Sequence, residues 1–432
     1  MYGPAVMTGD EAAAWLTALQ RVIDTSHLAT GEQLSAVVDD AVHHLGLTAE
    51  MLLVDMAQRV FTPVRAGLGG QVDVVGTMAG RAYQLGEILP ATDEQRRRLL
   101  WVPVLDGTDR VGVLRVGFDE QGGGADARPD GDLVLRDMLW TLAGLMGHIV
   151  MTKIVYSDRL RRWRSNGPLS AASELLWQLL PPRTFATERV AVSALLEPHE
   201  QVAGDAYDYN VEGSVVDLAV FDAVGHDLRA SMTTALAITG VRNARRAGEQ
   251  DLNAIAARAD ELIAAQPGPL QFATAVLARF DTDSGVLDYL IAGHPPPLLV
   301  RHAKVIRELT APPRLPLGVP VTGACPARLG REQLEPGDRL LLYSDGVTEA
   351  RDAHGEFFGE QRLIEFAEHC AASNLSAPET LRRLAAAVLE HQAGQLQDDA
   401  TLLLVDWSAQ AHTLMFPTLS PADAVCTSRP RK

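Results

Sequence analysis

Aspartates beside turn-forming residues recur in four short segments that are far apart in the sequence. A buried carboxylate at the end of an apolar strand is costly unless a cation or hydrogen bonds balance its charge. Strand ends that are distant in sequence can still meet at one edge of a sheet, so the pattern predicts a cluster of carboxylates that needs cations. The segments are AGDAYDY with Asp205 and Asp208, FDAVGHD with Asp222 and Asp227, YSDG with Asp345, and QDDAT with Asp398 and Asp399.

Such a cluster suits hydrolysis of a phosphate ester by a metal-activated water. Mg²⁺ and Mn²⁺ prefer oxygen ligands, and two such ions about 3.5–4 Å apart can lower the pKa of a shared water and hold a phosphoryl group for in-line attack. This chemistry needs no side-chain nucleophile, and the sequence contains neither a GxSxG elbow nor a P-loop. A single aspartate beside glycine is usually a turn residue, so the prediction depends on the joint pattern.

A domain of mixed α and β structure must position these segments. Between residues 186 and 407, strand-like apolar runs alternate with turns and with amphipathic helical segments. The predicted strands are VAVSALLEP, VVDLAVFDAV, QFATAVLARFD, VLDYLIAG, DRLLLYSDG and ATLLLVDW, and the predicted helices cover Met232–Arg246, Leu252–Ala265, Gln361–Ser373 and Pro378–Ala393.

Six segments in this region resemble the SpoIIE-type bacterial serine/threonine phosphatases, which belong to the metal-dependent protein phosphatase 2C-like superfamily. The resemblance implies an α+β fold, an αββα sandwich of two antiparallel sheets flanked by helices, with two Mn²⁺ or Mg²⁺ ions at one end. The segments are LLPP (179–182), VAGDAYDY (202–209), VFDAVGHDLRASM (220–232), LIAGHPPPLLV (290–300), LEPGDRLLLYSDGVTEARDAHGEFFG (334–359) and DDATLLLV (398–405).

The same resemblance implies a set of metal ligands. Asp205 and Asp222 would bind one ion together with the carbonyl oxygen of Ala223. Asp222 would also bind the second ion, completed by Asp345 and by Asp398, with Asp399 as the alternative to Asp398. Asp205, Asp222, Asp345 and Asp398 would thus be the catalytic residues, acting through a metal-activated water, whereas Asp208 is expected to be structural.

Two positions depart from the family pattern, and two histidines invite a catalytic interpretation. Ala203 and Asp227 stand where the family usually has glycine, and we expect Asp227 to occupy a turn position that favours positive φ. His226 and His294 could serve as general acids. We favour a turn role for His226 and a packing or hydrogen-bonding role for His294.

The N-terminal part resembles a GAF sensor domain. A helix over 34–45 that ends at Gly46 is followed by strand-like segments, by a predicted hairpin split by DGTD (106–109), and by a long helix after residue 132. We expect a GAF-like domain over 12–150, a helical signalling linker over 151–185, the phosphatase domain over 186–407 and a disordered tail over 408–432. The GAF ligand remains unidentified, although no cysteine precedes Cys325 to attach a bilin.

Composition narrows the location and the partners. The 432 residues are 47% hydrophobic and 22% charged, as in ordinary soluble proteins, and the formal charge of −17 argues against nucleic acid or an anionic membrane as the main partner. The N-terminus does not resemble a signal peptide, and the apolar stretch over 138–154 looks too short to span a membrane. We therefore expect a cytoplasmic protein. We also expect a homodimer, and we interpret the apolar stretch over 138–154 as a buried or a dimerising helix.

The family resemblance also implies the substrate, a phosphorylated STAS-type anti-sigma factor antagonist in a sigma-factor partner-switching pathway. Two other functions fit the sequence. One is a non-catalytic signalling scaffold with the phosphatase fold, which predicts a missing metal ligand. The other is a two-metal phosphoesterase that acts on a small phosphate ester, which predicts a specificity pocket for that ester.

Overall fold

The computed structural model describes residues 7–64, 70–118, 132–165, 170–197, 204–225, 227–320, 327–394, 396–409 and 411–415. These residues form two compact units, one that ends at residue 165 and one that spans 170–415.

The first unit is built on an antiparallel sheet with helices on both faces. The sheet has the strand order β3-β2-β1-β6-β5-β4. Its helices are α1 (Gly9–Ser26), α2 (Leu34–Val42), α3 (Met78–Leu85), α4 (Leu133–Ile154) and α5 (Asp158–Arg164), and its strands are β1 (Leu47–Val54), β2 (Val60–Pro63), β3 (Val72–Asp73), β4 (Leu89–Thr92), β5 (Arg98–Asp106) and β6 (Asp109–Phe118).

Alternate side chains of β1 pack on opposite faces of the sheet, because successive side chains of a strand point in opposite directions. Met51 and Leu53 join the larger core with residues of α1, α2 and α4, whereas Leu52 and Val54 join a small core beneath α3. The predicted hairpin is present, with Asp106 opposite Asp109, and Gly46 ends the predicted helix with φ of +71°. The helix α1 was not predicted.

The helix α4 is longer than the apolar stretch that the sequence suggested. By length and composition it could cross a membrane, and 39% of its most apolar window is buried within the protein. Leu139, Leu142 and Met146 pack in the core of the first unit, as a core helix of a globular domain does. The expectation that this segment is too short to span a membrane was therefore wrong about its length.

The second unit contains two antiparallel sheets. One has the order β15-β12-β11-β10-β9 and the other β14-β13-β16-β17-β8-β7. The strands are β7 (Thr184–Ala186), β8 (Val190–Glu197), β9 (Asp205–Glu212), β10 (Val215–Ala223), β11 (Ala273–Asp281), β12 (Val286–Ala292), β13 (Leu298–Arg301), β14 (Lys304–Glu308), β15 (Gly330–Gln333), β16 (Asp338–Tyr343) and β17 (Ala400–Trp407). The helices are α6 (Ala171–Leu179), α7 (Leu228–Arg246), α8 (Leu252–Ala264), α9 (Asp345–Thr348), α10 (Gly359–Ala372) and α11 (Ala377–His391).

The core of the second unit has the layer order that the sequence predicts. One cluster joins residues of α7 and α8 to both sheets, including Ile238, Ile255, Phe221 and Leu403. A second cluster covers the outer face of the other sheet with α10 and α11, including Leu363 and Leu384. The αββα sandwich is thus confirmed. The strands β7, β9, β13, β14 and β15 were not predicted.

The end of the chain differs from its predicted disorder. A short 3-10 helix covers Ala411–Leu414, and Ala411 and Met415 are buried against Ala191. The tail prediction was wrong for these residues because small and apolar side chains there complete a core that periodicity does not reveal. Residues 416–432 lie outside the described part of the chain.

Candidate metal centre

Asp205 and Asp222 face each other on neighbouring strands at one end of the first sheet of the sandwich. Asp205 begins β9 and Asp222 is the penultimate residue of β10, and the antiparallel register pairs them directly. Directly opposed residues have Cβ atoms about 4.5–5.5 Å apart. Burial and then the charge of Asp222 raise the pKa of Asp205, so this end of the sheet holds a close acidic pair.

Asp345, Asp398 and Asp399 lie at the matching end of the other sheet. Asp345 follows β16 at the start of α9, and the Asp398–Asp399 pair precedes β17, the neighbour of β16. The backbone amide of Thr401 donates to Ser344 Oγ at 2.9 Å. Gly346 packs so closely that a Cβ there would lie 1.9 Å from the Asp399 carbonyl oxygen, which explains the glycine of the YSDG segment.

Gly204 connects the two acidic groups. Its amide donates to Asp399 Oδ2 at 2.6 Å, and its carbonyl oxygen accepts from the Ala223 amide at 3.3 Å and from the Thr234 hydroxyl. A Cβ at this position would lie 2.7 Å from the carbonyl oxygen of Gly225. The glycine of AGDAYDY therefore permits a backbone approach that a larger residue would block.

The carboxylates raise one another's pKa. Burial is the largest cause of the raised pKa of Asp205, followed by the charges of Asp222 and Asp399. Burial, then Asp345 and Asp398, raises the pKa of Asp222 to about 7. The pKa of Asp345 is raised by burial, then by Asp398 and Glu349. The predicted convergence of the four segments is therefore present, and it concentrates negative charge that bound cations would neutralise.

The chemistry of these residues fits a pair of hard divalent ions. Asp205 Oδ2 is buried and has no hydrogen-bond partner among the described residues, and the potential ligands are all oxygens. No three His, Cys, Asp or Glu side chains of the described residues are arranged to hold an ion as they stand. The charges of Asp345 and Asp398 nevertheless raise the pKa of Asp222 after burial, so carboxylates of both sheets lie close enough to interact. Asp205, Asp222, Asp345 and Asp398, with the Ala223 carbonyl, remain the predicted ligands.

The structure separates the roles of the last two aspartates. Asp399 is buried and accepts the Gly204 amide. Asp398 is exposed and its Oδ1 accepts the Asp399 amide. The geometry therefore favours Asp398 over Asp399 as the metal ligand and gives Asp399 the task of holding the Gly204 loop.

His294 is a buried structural residue. Its Nε2 lies 3.1 Å from the Tyr343 carbonyl oxygen, which can only accept, so Nε2 carries the proton. Its Nδ1 then accepts from the Thr274 hydroxyl at 2.7 Å, and Thr274 stands opposite Asp222 in the register. Burial lowers the pKa of His294 to about 4, so the ring is neutral at pH 7. This supports the predicted hydrogen-bonding role.

The unusual Asp227 begins a helix. Its backbone is extended, with φ of −105°, and its side chain accepts hydrogen bonds from the amides of Arg229 and Ala230. The expected positive φ was wrong for Asp227, because Gly225 takes that conformation with φ of +90°. An aspartate at this position is a favourable N-cap. Ala203 and His226 lie outside the described residues.

Asp208 binds two arginines. It is fully buried, and its carboxylate contacts Arg242 at 2.7 Å and Arg245 at 2.6 Å. Arg242 also donates to the Leu179 carbonyl oxygen at the end of α6. This ion-pair network supports the predicted structural role of Asp208.

Sequence reasoning missed the residues that support the acidic ones. Ser344 and Thr401 oppose the rise in the pKa of Asp205 that burial causes, and the Gly204 amide holds Asp399. The sequence could have pointed to Gly204, Ser344 and Thr401, since each lies within two residues of a predicted ligand.

Comparisons with known proteins find a family model and relatives that match part of the chain. Residues 212–408 match the model of the family described as Stage II sporulation protein E (SpoIIE). The chain is 28% identical over 269 residues to Protein IcfG of Synechocystis sp., covering 55% of this chain and 41% of that protein. It is 26% identical over 254 residues to Phosphoserine phosphatase RsbU of Bacillus subtilis, covering 55% of this chain and 69% of that protein.

One solved structure illustrates the extent of the likeness. The SiaA-PP2C domain of Pseudomonas aeruginosa is 24% identical, with a TM-score of 0.48, over 55% of this chain and 94% of that domain. These matches cover about half of the present chain, and less than half of the length of Protein IcfG.

Proposed function

We propose that this chain, whose residues 212–408 match the SpoIIE family model, is a metal-dependent protein serine/threonine phosphatase of the protein phosphatase 2C-like type. The observation that carries the proposal is the meeting of Asp205, Asp222, Asp345 and Asp398 at one end of the sandwich. The relationship to the phosphoserine phosphatase RsbU supports the same activity.

Each residue has a distinct task in this proposal. Mn²⁺ or Mg²⁺ ions, when bound, would supply an activated water and neutralise the phosphoryl oxygens. Asp205 and Asp222 would hold one ion with the Ala223 carbonyl, and Asp222, Asp345 and Asp398 would hold the other. The Gly204 amide holds Asp399, the neighbour of Asp398, and the Thr401 amide holds the hydroxyl of Ser344, the neighbour of Asp345.

The substrate that we propose is the phosphoserine form of a STAS-type anti-sigma factor antagonist in a partner-switching pathway. The support is the family membership of residues 212–408 and the similarity to RsbU. We further propose that the first unit is a GAF-like sensor domain, whose ligand is unidentified. It would regulate the phosphatase of a cytoplasmic homodimer through the helical segment over 151–185.

The two alternatives predict different features. A scaffold predicts the loss of a metal ligand, but every expected aspartate is present and the described ones converge. A small-ester phosphoesterase predicts a basic or base-stacking pocket beside the carboxylates. The SpoIIE relationship favours a protein substrate over both.

One assay separates the three functions. Wild type and Asp345→Asn are tested with and without Mn²⁺ on a phosphoserine STAS-domain protein, on p-nitrophenyl phosphate and on a nucleotide monophosphate. A protein phosphatase dephosphorylates the STAS protein only with Mn²⁺ and loses this activity in Asp345→Asn. Wild type inactive on all three substrates would indicate a scaffold, and turnover of the nucleotide alone would indicate the small-ester enzyme.

A further inference from the structure

An exposed apolar surface adjoins the carboxylate cluster of the second unit. It consists of Val224, Leu228, Met232 and Leu270, whose side chains are 44% to 57% exposed, and we call it the rim patch. Large apolar side chains gathered at one exposed place mark interaction sites more often than isolated ones do. The patch therefore requires an explanation beyond the metal chemistry.

The backbone places the rim patch directly beside the proposed metal ligands. Val224 follows Ala223, and its amide donates to the Phe272 carbonyl oxygen at 3.1 Å. Leu270 lies two residues before Phe272 on the segment that leads into β11. Leu228 and Met232 are one helical turn apart at the start of α7, so they are neighbours on the same face.

The two sides of the patch are held together. Gln266 Nε2 donates to the Thr233 hydroxyl at 3.1 Å, which joins the segment before β11 to α7. Beneath them, Ala223, Ala230 and Ala273 form a small buried cluster. The backbone that carries the exposed side chains is thus held by a hydrogen bond and by a small buried cluster. Nothing in the described residues covers these side chains.

A cation lies within the rim patch. Arg229 is exposed between Leu228 and Met232, and its Nη1 lies 3.6 Å from where a Cβ of Gly268 would stand. Among the described residues, no carboxylate forms an ion pair with it, in contrast to Arg242, Arg279 and Arg314 of the same unit. An unpaired guanidinium at the edge of an acidic centre is suited to bind an anionic group of a partner.

We propose that the rim patch and Arg229 form the docking surface for the phosphoprotein substrate, an inference that rests on the proposed function. The partner is a folded protein that presents apolar side chains, and a carboxylate for Arg229, next to its phosphoserine. A small phosphate ester would gain no binding energy from an apolar surface that lies outside the metal centre. A protein whose phosphoserine reaches Asp222 comes close to the rim patch, because Val224 lies only two residues after Asp222.

The test compares protein and small-ester substrates. Met232→Gln, Leu228→Gln and Arg229→Glu are each expected to lower kcat/KM for a serine-phosphorylated STAS-domain protein of the same genome, relative to kcat/KM for p-nitrophenyl phosphate, by at least about tenfold. Arg229→Lys should retain most of the wild-type ratio. Ile306→Gln, an exposed residue of the edge strand β14, is the matched control and should leave the ratio unchanged.

A binding measurement keeps the proposal separate from the activity. In the Asp345→Asn background, the same phosphoprotein should bind with an affinity that Arg229→Glu weakens, and this difference should shrink as the salt concentration rises. Equal losses of kcat/KM for both substrates, which leave the ratio unchanged, or binding that Arg229→Glu does not weaken would overturn the docking surface. A dimer that dissociates on Met232→Gln would also overturn it by assigning the patch to a second copy. Failure of turnover with intact patch-dependent binding would instead overturn the proposed function.

Discussion

The amide of Gly204 donates a hydrogen bond of 2.6 Å to Oδ2 of Asp399, which lies 195 residues further along the chain. This bond joins the loop before β9 to the loop before β17, and so connects the ends of the two sheets at the acidic centre. Because a Cβ at Gly204 would lie 2.7 Å from the Gly225 carbonyl oxygen and 2.9 Å from that of Ala223, the absence of a side chain there sets the spacing between the two halves of the site.

Gly204→Ala should therefore destabilise the second unit and weaken metal binding. The added Cβ would stand 2.7 Å from the Gly225 carbonyl oxygen, and overpacking of this kind costs about 1–3 kcal/mol. Chemical denaturation and Mn²⁺ titration would measure both effects. Gly144→Ala, where the Cβ meets open space within α4, is the control, and equal behaviour of the two variants would refute the role of Gly204.

The stability of the metal-free protein should fall as pH rises from about 5 to 8. The pKa of Asp222 is raised to about 7 and that of Asp205 is also raised, so the folded state binds more protons than the unfolded state between the unfolded and folded pKa values. Stability is then present at low pH and is lost as pH rises through the folded pKa. Urea unfolding across this range, with and without Mn²⁺, measures the slope.

Asp222→Asn is the matched variant for the pH experiment, since it removes the charge and keeps the shape. Its stability should depend less on pH than that of the wild type, and Mn²⁺ should abolish the slope in the wild type only. A slope of the same size in both proteins would show that other groups cause it.

His294 should not shape the pH dependence of the activity near neutrality. Burial lowers its pKa to about 4, and both ring nitrogens are occupied by Thr274 and Tyr343. His294→Gln should lower stability, because a buried hydrogen bond contributes about 0.5–1.5 kcal/mol, and should leave the pKa values of the kcat profile in place. Loss of the basic limb of that profile in His294→Gln would restore a general-acid role.

Asp227 should act through the helix rather than through the metals. Its side chain caps α7, so Asp227→Ala should cost about 0.5–2 kcal/mol and Asp227→Gly only a few tenths. Thermal unfolding of both variants measures the order. If Asp227→Gly instead changed Mn²⁺ affinity with no change in stability, the capping role would be wrong.

The sequence was sufficient to predict β8, β10, β11, β12, β16, β17 and the main helices, because their apolar runs are long and regular. The αββα layers were implied by the family resemblance. Short strands such as β13 and β15 were not predicted, because a run of four residues shows too little periodicity. The convergence of the acidic segments was predictable from their shared pattern. The Gly204–Asp399 bond was not, because a contact across 195 residues depends on how the two sheets pack.

Asp227 shows how a family pattern can mislead. The glycine that the family usually has at this position suggested a positive φ. In the structure, Gly225 has the positive φ and Asp227 is the N-cap of α7. The rim patch could not be predicted either, because the sequence does not distinguish an exposed leucine or methionine of a helix, such as Leu228 or Met232, from a buried one.

The proposed function requires that carboxylates from four segments form a single centre for two ions. The most direct measurement is Mn²⁺ binding by calorimetry, together with phosphatase activity, for wild type, Asp222→Asn and the control Asp288→Asn, an aspartate of β12 paired with Arg331 at the surface. We predict that the wild type and Asp288→Asn bind two ions per chain. Asp222→Asn should lose at least one ion and more than about 100-fold of the activity, since even substitutions beside metal ligands cost about 10- to 100-fold. Full activity and unchanged Mn²⁺ binding in Asp222→Asn would contradict the account.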